Sequence, residues 1–99
     1  MMKFRLFSRS WNIRFSHPGE LVDDLGQCRP DQLEILINPN QVSESVKHTI
    51  AHEICHAIEL SQDLQMTERQ IDLMALGIID LVRNNPELFD VFKEGTADE

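Results

Sequence analysis

Apolar and polar residues alternate through most of the N-terminal part of the chain. The alternation is interrupted at residues 8–10, which are all polar. A period of two is typical of a β-strand that buries one of its faces. The pattern therefore predicts two short strands within residues 3–15, in an arrangement that suits a hairpin. The apolar members of the pattern are Phe4, Leu6, Trp11, Ile13 and Phe15.

A third strand is predicted at Leu33–Ile37, where apolar residues run almost without interruption. The turn-forming residues 38–40, Asn-Pro-Asn, follow at once and should end the strand. Residues 20–31 are mostly polar and include a Gly and a Pro. We interpret them as a connection between the first two strands and the third.

From about Val42 to Leu60 the apolar spacing changes to the period of a helix. One apolar stripe along this segment suits packing on the small sheet. His52 and His56 fall on another side of the helical wheel. The predicted helix therefore has one face for the sheet and a second face for a site. The stripe consists of Val46, Ile50, Ile54, Ala57 and Ile58.

Two more helices are predicted in the rest of the chain. Thr67 and Gln70 have the spacing of a capping box, so a helix should start there and run towards Asn84. Asn85 followed by Pro86 is typical of an N-cap and first helical position, which predicts a brief final helix. The apolar stripe of the longer helix is Ile71, Met74, Ala75, Ile78 and Val82.

These elements define the expected fold class as α+β. A small antiparallel or mixed sheet would pack on the histidine-bearing helix, beside a second helix and a short C-terminal helix. The 99 residues suit one compact soluble domain, near the lower size that a single core stabilises. We place this domain at residues 1–94 and expect residues 95–99 to be a disordered tail.

The net charge of -8 is unevenly distributed. Residues 1–19 contain basic side chains but no Asp or Glu, while the remainder of the chain is strongly acidic. An acidic surface disfavours binding to a phosphate backbone, so no nucleic-acid partner is expected. The early basic side chains are interpreted as the solvated face of strands. They are Lys3, Arg5, Arg9 and Arg14.

The composition also indicates where the protein works. Arginines interrupt the apolar residues near the start before they reach the length of a secretion signal. No apolar run approaches the roughly 20 residues of a membrane-spanning helix. Cys28 and Cys55 fit a reducing compartment and do not indicate a disulfide framework. We expect a cytoplasmic protein with no membrane partner.

His52, Glu53 and His56 form the motif H-E-x-x-H within the predicted helix. Residues four apart stack on one helix face, so both imidazoles can reach one zinc ion at about 2.0–2.1 Å. Glu53 would then lie beside the open coordination position, where it can take a proton from water. The alternative is an ordinary amphipathic helix with two solvated histidines.

A catalytic zinc usually has a third protein ligand. The long metzincin motif is excluded, because it requires Gly and His where this chain has Glu59 and Gln62. Glu68 starts the next helix and shares one side of it with Asp72. We assign Glu68 to the metal and Asp72 to a hydrogen bond behind a ligand imidazole. The alternatives are a carboxylate favoured by the helix dipole and a solvated residue.

His48 is the main rival for the third ligand position. His48, His52 and His56 recur every four residues, but they span about 12 Å along the helix axis, which is too far for one zinc ion. His48 is therefore interpreted as polar surface or as the rim of a cleft. Cys55, inside the motif, is interpreted as a small buried residue.

The segments T-I-A-H-E-I-C-H-A-I-E-L and T-E-R-Q-I-D-L-M-A-L-G-I resemble the compact gluzincin-like metallopeptidases of the ImmA/IrrE type. The likeness is greatest to short phage and prophage versions and covers roughly residues 33–88. Gluzincins carry their glutamate ligand in an E-x-x-x-D pattern on the helix after the motif. Glu68 and Asp72 match that pattern.

The resemblance implies a minimal zincin-like fold in which an edge strand borders the cleft, with one zinc ion per chain. A peptide or protein substrate would add to that edge as an extended strand. Glu53 would serve as general base. The chain contains no Tyr, which leaves His48, Arg69 or a backbone N–H to stabilise the oxyanion. The expected edge strand is Leu33, Glu34, Ile35, Leu36 and Ile37.

Two functions are compatible with these features, and a third is disfavoured. The first is a zinc-dependent metallopeptidase that hydrolyses peptide bonds with activated water and a Glu general base. The alternative is a non-catalytic, zinc-stabilised protein-interaction module of phage or prophage origin. A nucleic-acid-binding regulator is disfavoured by the acidic composition.

Overall fold

A computed structural model describes residues 1–93 of the chain. It begins with a hairpin of β1 (Met2–Leu6) and β2 (Arg9–Phe15), in antiparallel pairing. Phe7 and Ser8 connect the strands with positive φ angles of 50° and 67°. Two consecutive positive φ angles are the geometry of the turn that best matches the twist of paired strands. The two predicted strands and their hairpin arrangement are confirmed.

Two more strands complete a mixed sheet. They are β3 (Gly26–Arg29) and β4 (Glu34–Ile37), joined by a single 3-10 turn at Pro30–Gln32. The order across the sheet is β1-β2-β4-β3, with β4 parallel to β2 and antiparallel to β3. The order makes β4 an inner strand, with β1 and β3 at the two edges of the sheet.

The strand predicted at Leu33–Ile37 is confirmed as β4, but its predicted edge position is wrong, and β3 was not predicted. Residues 26–29 lie in the predicted connection but form β3, and the segment Leu33–Ile37 is not an edge strand. Leu33 itself precedes β4, with a positive φ of 51°. The physical reason is burial on both faces: Ile35, Leu36 and Ile37 are all fully buried. A continuous apolar run is typical of a central strand, whereas the polar β3 suits an edge.

The helix α1 (Ser43–Ser61) lies on this sheet and confirms the predicted helix to within a residue at each end. Its sheet-facing side buries Ala57 completely against the core. The partly buried Val46, Ile50 and Ile54 pack against the same core, in agreement with the predicted stripe. The other buried members of this core are Trp11, Ile13, Ile35 and Ile37.

Two helices follow, α2 (Glu68–Asn84) and α3 (Pro86–Lys93). The predicted capping box is present at the start of α2: the Thr67 hydroxyl accepts from the Gln70 backbone N–H, and the Gln70 side chain accepts from the Thr67 N–H. A second, smaller core of Cys55, Ile71 and Ala75 joins α1 to α2. Cys55 is thus the small buried residue that was predicted.

The architecture is α+β, with a small mixed sheet and three helices within residues 1–93. The predicted tail at residues 95–99 lies outside the described residues. Among the helices of the described part, none combines the length and apolar character needed to cross a membrane.

Candidate metal centre

The two motif histidines lie one turn apart on the side of α1 that faces the start of α2. The ring centroids of His52 and His56 are 5.0 Å apart. Both side chains are about four-fifths buried, which limits the directions in which their nitrogens can meet a ligand. The Nε2 atoms of both rings point to the first turn of α2.

Glu68, the first residue of α2, meets both of these nitrogens. Its Oε2 atom lies 3.1 Å from His52 Nε2, and its Oε1 atom lies 2.9 Å from His56 Nε2. One potential ligand atom from each of the three residues lies within 4.8 Å of the others. This cluster could hold a metal ion, and it consists of the three residues expected from the sequence.

Glu59 orients His56 from the opposite side of the ring. Its Oε1 atom lies 3.0 Å from His56 Nδ1, and its Oε2 atom accepts the backbone N–H of Met66. The carboxylate is buried, and the Met66 N–H, followed by His56, lowers the pKa of Glu59 below its usual range. Because a carboxylate only accepts, His56 must carry its proton on Nδ1, which directs Nε2 to the cluster.

Sequence reasoning missed this role of Glu59. The sequence analysis used Glu59 only to exclude the metzincin motif and assigned it no role at the site. A signal was present, since residues three apart on a helix are neighbours and a ligand imidazole commonly donates to a carboxylate. The hydrogen bond to Met66 could not be read from spacing, because it depends on the turn between α1 and α2.

Asp72 lies close to a ligand imidazole, but its nearest histidine is a different one. Its Oδ1 atom is 3.4 Å from His52 Nδ1 and 3.0 Å from His48 Nε2. Neither contact has the alignment of a hydrogen bond within residues 1–93. Asp72 therefore lies beside His52, but within residues 1–93 the predicted hydrogen bond between them is not formed, and Asp72 is closer to His48. His48 also lines the cleft described below, in agreement with its predicted place at a cleft rim.

Glu53 projects from α1 towards the edge strand. Its side chain is 6% exposed, and its carboxylate forms no hydrogen bond with any residue in 1–93. The pKa of Glu53 is raised above its usual range, chiefly because the carboxylate is buried. Positive charge on His52 and His56 would lower this pKa, and the nearby carboxylates of Glu68 and Asp24 raise it. A buried carboxylate with a raised pKa holds a proton more readily than an exposed one.

A cleft of about 640 Å³ connects the histidine cluster to the sheet. One wall is formed by α1 and the start of α2, and the other by β3 with the residues just before it. Five carboxylates line the cleft, without any Lys or Arg among the lining residues. The cleft is therefore acidic. These carboxylates belong to Asp23, Asp24, Glu53, Glu68 and Asp72.

Gly26 lets the edge strand approach α1 closely. A Cβ atom at this position would lie 2.5 Å from Thr49 Cγ2 and 3.1 Å from both Glu53 Cγ and the Leu36 carbonyl oxygen. Distances of this kind leave no space for a side chain. The missing side chain thus brings β3 directly beside Glu53.

Arg14 anchors the segment that leads into this strand. It donates to Glu20 at 2.7 and 2.8 Å and to Glu34 at 2.9 Å. The Arg14 guanidinium and the His17 backbone N–H lower the pKa of Glu20 to about 2. Arg14 was expected on a solvated strand face, but it joins β2, β4 and the residues before β3.

Comparison of the chain with protein-family models, curated proteins and solved structures gave no match. The resemblance to the ImmA/IrrE type therefore stays a prediction. The fold and the site define an α+β protein in which two imidazoles and one carboxylate could hold a metal ion, at the end of an acidic cleft.

Proposed function

We propose that this protein is a zinc-dependent peptidase. The observation that carries the proposal is the convergence of His52 Nε2 and His56 Nε2 on the carboxylate of Glu68, next to the buried Glu53. Two imidazoles with one carboxylate are the donor set of a catalytic zinc site that retains an open position. The orientation of His56 by Glu59 also fits, since it leaves Nε2 for a metal.

His52, His56 and Glu68 would hold the zinc ion. When bound, zinc supplies a Lewis acid for a peptide carbonyl and makes water acidic enough to be deprotonated near neutral pH. A ring nitrogen that binds a metal cannot also carry a proton, so both Nε2 atoms must be unprotonated when zinc is bound.

Glu53 would act as the general base and then as the general acid. Its carboxylate faces the cleft beside the cluster and has no competing hydrogen bond from residues 1–93. It can take a proton from the attacking water and deliver that proton to the nitrogen of the leaving amine. The raised pKa suits this exchange, because a base works best when its pKa approaches the operating pH.

The outer edge of β3 would hold the substrate. An extended peptide can add to a free strand edge through main-chain hydrogen bonds. The strand β4, which was expected to be the edge, is paired with β2 on one side and β3 on the other, so it has no free edge for a peptide. A peptide on β3 would run along the cleft past Glu53, at the place where Gly26 brings strand and helix together.

His48 is our candidate for stabilising the oxyanion. It lines the same cleft as Glu53, whereas Arg69 is absent from the cleft lining. A ring N–H of His48 can donate a hydrogen bond to the oxygen that gains negative charge during attack. This role would compensate for the lack of Tyr in the chain.

The test combines metal analysis and hydrolysis on four proteins: wild type, Glu53→Gln, Glu68→Ala and the surface control Glu87→Gln on α3. Elemental analysis after purification without chelators should find one zinc ion per chain in wild type, Glu53→Gln and the control. Glu68→Ala should lose zinc or bind it weakly. A fluorogenic peptide library should be cleaved by wild type and control, and not by Glu53→Gln.

The outcomes separate the candidate functions. Wild-type protein that contains no zinc and gains none on titration would contradict every zinc-based function. Stoichiometric zinc without cleavage of any library peptide would favour the alternative, a non-catalytic zinc-stabilised interaction module. Cleavage that persists in Glu53→Gln at the wild-type rate would remove Glu53 from the mechanism.

A further inference from the structure

The helix α2 carries all of its charge on one half of its circumference. Successive residues are rotated by about 100°, and on this wheel its charged residues fall together within one half. Glu68 and Asp72 contact histidines of α1, and Arg83 Nη2 lies 2.9 Å from Glu44 Oε2. The opposite half contains no charged residue. The charged residues of α2 are Glu68, Arg69, Asp72, Asp80 and Arg83.

The uncharged half carries an exposed apolar stripe. Met74, Gly77, Ile78 and Leu81 follow the spacing of a single helical stripe, and Val82 lies at its margin. Met74 is 49% exposed and Leu81 is 42% exposed within the described structure. An apolar stripe normally faces the core, but here Ile71 and Ala75 already fill the seam with α1.

Gly77 lies at the middle of this stripe and near the midpoint of α2. Apart from its own neighbouring backbone in α2, no described atom lies within 4 Å of the place where its Cβ would be. Gly is less favourable than Ala inside a helix, and nothing within residues 1–93 requires it at this position. A glycine on an exposed helix face does, however, allow the backbone of another helix to come close.

The exposed apolar area on α2 and α3 is comparable to that of a homodimer interface. α3 contacts α2, and its Val91 and Phe92 are exposed by 61% and 71%. Summed over both helices, the exposed parts of Met74, Ile78, Leu81, Val82, Val91 and Phe92 amount to roughly 550 Å². A standard interface buries about 800 Å² per partner, of which about 65% is apolar in homodimers.

We propose that a second copy of this chain covers the uncharged half of α2. The two α2 helices would cross antiparallel about a two-fold axis between Gly77 and Ile78. Met74 of one copy then lies opposite Leu81 of the other, so the stripe is complementary to itself. The absence of charge on this half allows two chains of net charge -8 to meet, because their charged halves point outwards.

A shallow cavity extends the same surface at the start of α2. It has a volume of about 620 Å³ and is lined by Leu64, Met66, Leu73 and Met74, among others. Antiparallel helices bring the C-terminal end of one α2 to the N-terminal end of the other. Phe92, on the helix that follows α2, would then enter the cavity of the second copy. This proposal is independent of zinc and of hydrolysis.

The first test measures the oligomeric state of the full chain by sedimentation equilibrium. Wild type should have twice the monomer mass, while Ile78→Asp and Leu81→Asp should be monomers with unchanged circular dichroism. Leu76→Asp is the matched control: Leu76 is 47% exposed on the same helix but lies on the charged half, so this variant should stay dimeric. Dissociation of the control to the same extent would overturn the interface.

A second test fixes the orientation of the helices. In a Cys28→Ser background, Gly77→Cys should form a disulfide-linked dimer on mild oxidation, because its copies meet at the axis. Asn84→Cys, at the far end of the same face, should not form one in an antiparallel pair. Linkage at both positions would overturn the antiparallel arrangement. A wild-type monomer at about 500 μM would overturn the dimer and indicate a different protein as occupant.

Discussion

Glu59 fixes the ring of His56 by accepting its Nδ1–H at 3.0 Å, while the second oxygen of Glu59 accepts the backbone N–H of Met66. One buried carboxylate thus connects the metal cluster to the turn that leads into α2. Since α2 begins with Glu68, the same carboxylate helps to place the third residue of the cluster. The motif helix and the second helix are therefore coupled through Glu59.

If the cluster binds zinc as proposed, Glu59→Ala should weaken that binding by roughly 10–100-fold, the usual effect of losing a carboxylate behind a ligand imidazole. The reason is that His56 loses its fixed tautomer and orientation. The measurement is competition with a chromophoric chelator at fixed pH. Glu87→Ala, at an exposed carboxylate on α3, is the control and should keep wild-type affinity. Equal affinities of Glu59→Ala and wild type would contradict this role.

We expect Gly26→Ala to destabilise the protein by about 1–3 kcal/mol, because the new Cβ would overlap Thr49 Cγ2 and crowd a backbone oxygen. Thr49→Ser removes that methyl group while retaining the hydroxyl, which donates to Gln41. The double variant should therefore recover part of the loss. Urea denaturation of both single variants and the double variant measures the coupling. Purely additive free energies of unfolding would show that the Thr49 methyl is not the obstacle.

The ion pair of Glu20 and Arg14 predicts a specific pH dependence of stability. Folding lowers the pKa of Glu20 from 4.5 to about 2, so the ionised form is favoured in the folded state. Its contribution is then complete above about pH 4.5 and is lost as the pH falls towards 2. Wild type should be more stable than Glu20→Gln at pH 7, and the difference should shrink at pH 3.

Urea denaturation of both proteins at several pH values measures this difference. Glu87→Gln, at a carboxylate for which no basic partner lies within ion-pair distance in residues 1–93, is the control and should show no such trend. A difference between wild type and Glu20→Gln that stays constant from pH 7 to pH 3 would refute the assignment.

If the protein is a peptidase, His48→Asn should lower kcat by about 10²–10³-fold, the range observed when one oxyanion donor is removed. Zinc content should be unchanged, since His48 is not part of the cluster. Steady-state kinetics on a cleaved library peptide gives kcat, and elemental analysis gives the metal content. Unchanged kcat would transfer the oxyanion role to a backbone N–H. Loss of zinc would show that His48 supports the cluster itself.

Most of the helical structure could be predicted from residue pattern alone. The capping box at Thr67 and Gln70 marked the start of α2, and the stripe through Ile50 and Ile54 identified the face of α1 that packs on the sheet. Both signals are local, because they depend on hydrogen bonds and spacing within a few residues. The order of the strands had no such local signal.

The strand β3 shows why the order of the strands could not be predicted from local pattern. Gly26–Arg29 is short and polar, and it becomes a strand because it pairs with β4 across a turn and lies against α1. The apolar run at Ile35–Ile37 carried a usable signal for an inner strand, but the resemblance to a known family favoured an edge. Because β4 is an inner strand, the free edge on which a substrate peptide could pair is that of β3 and not that of β4.

The sequence by itself determined the three members of the candidate metal cluster, His52, His56 and Glu68, because helical spacing and a capped helix start place them. Only the tertiary structure decided what surrounds them: Glu59 behind His56, Asp72 between two histidines, and β3 beside Glu53. These contacts join residues from different elements or depend on the turn between them. Their distances follow from the packing of α1, α2 and the sheet, which no local pattern specifies.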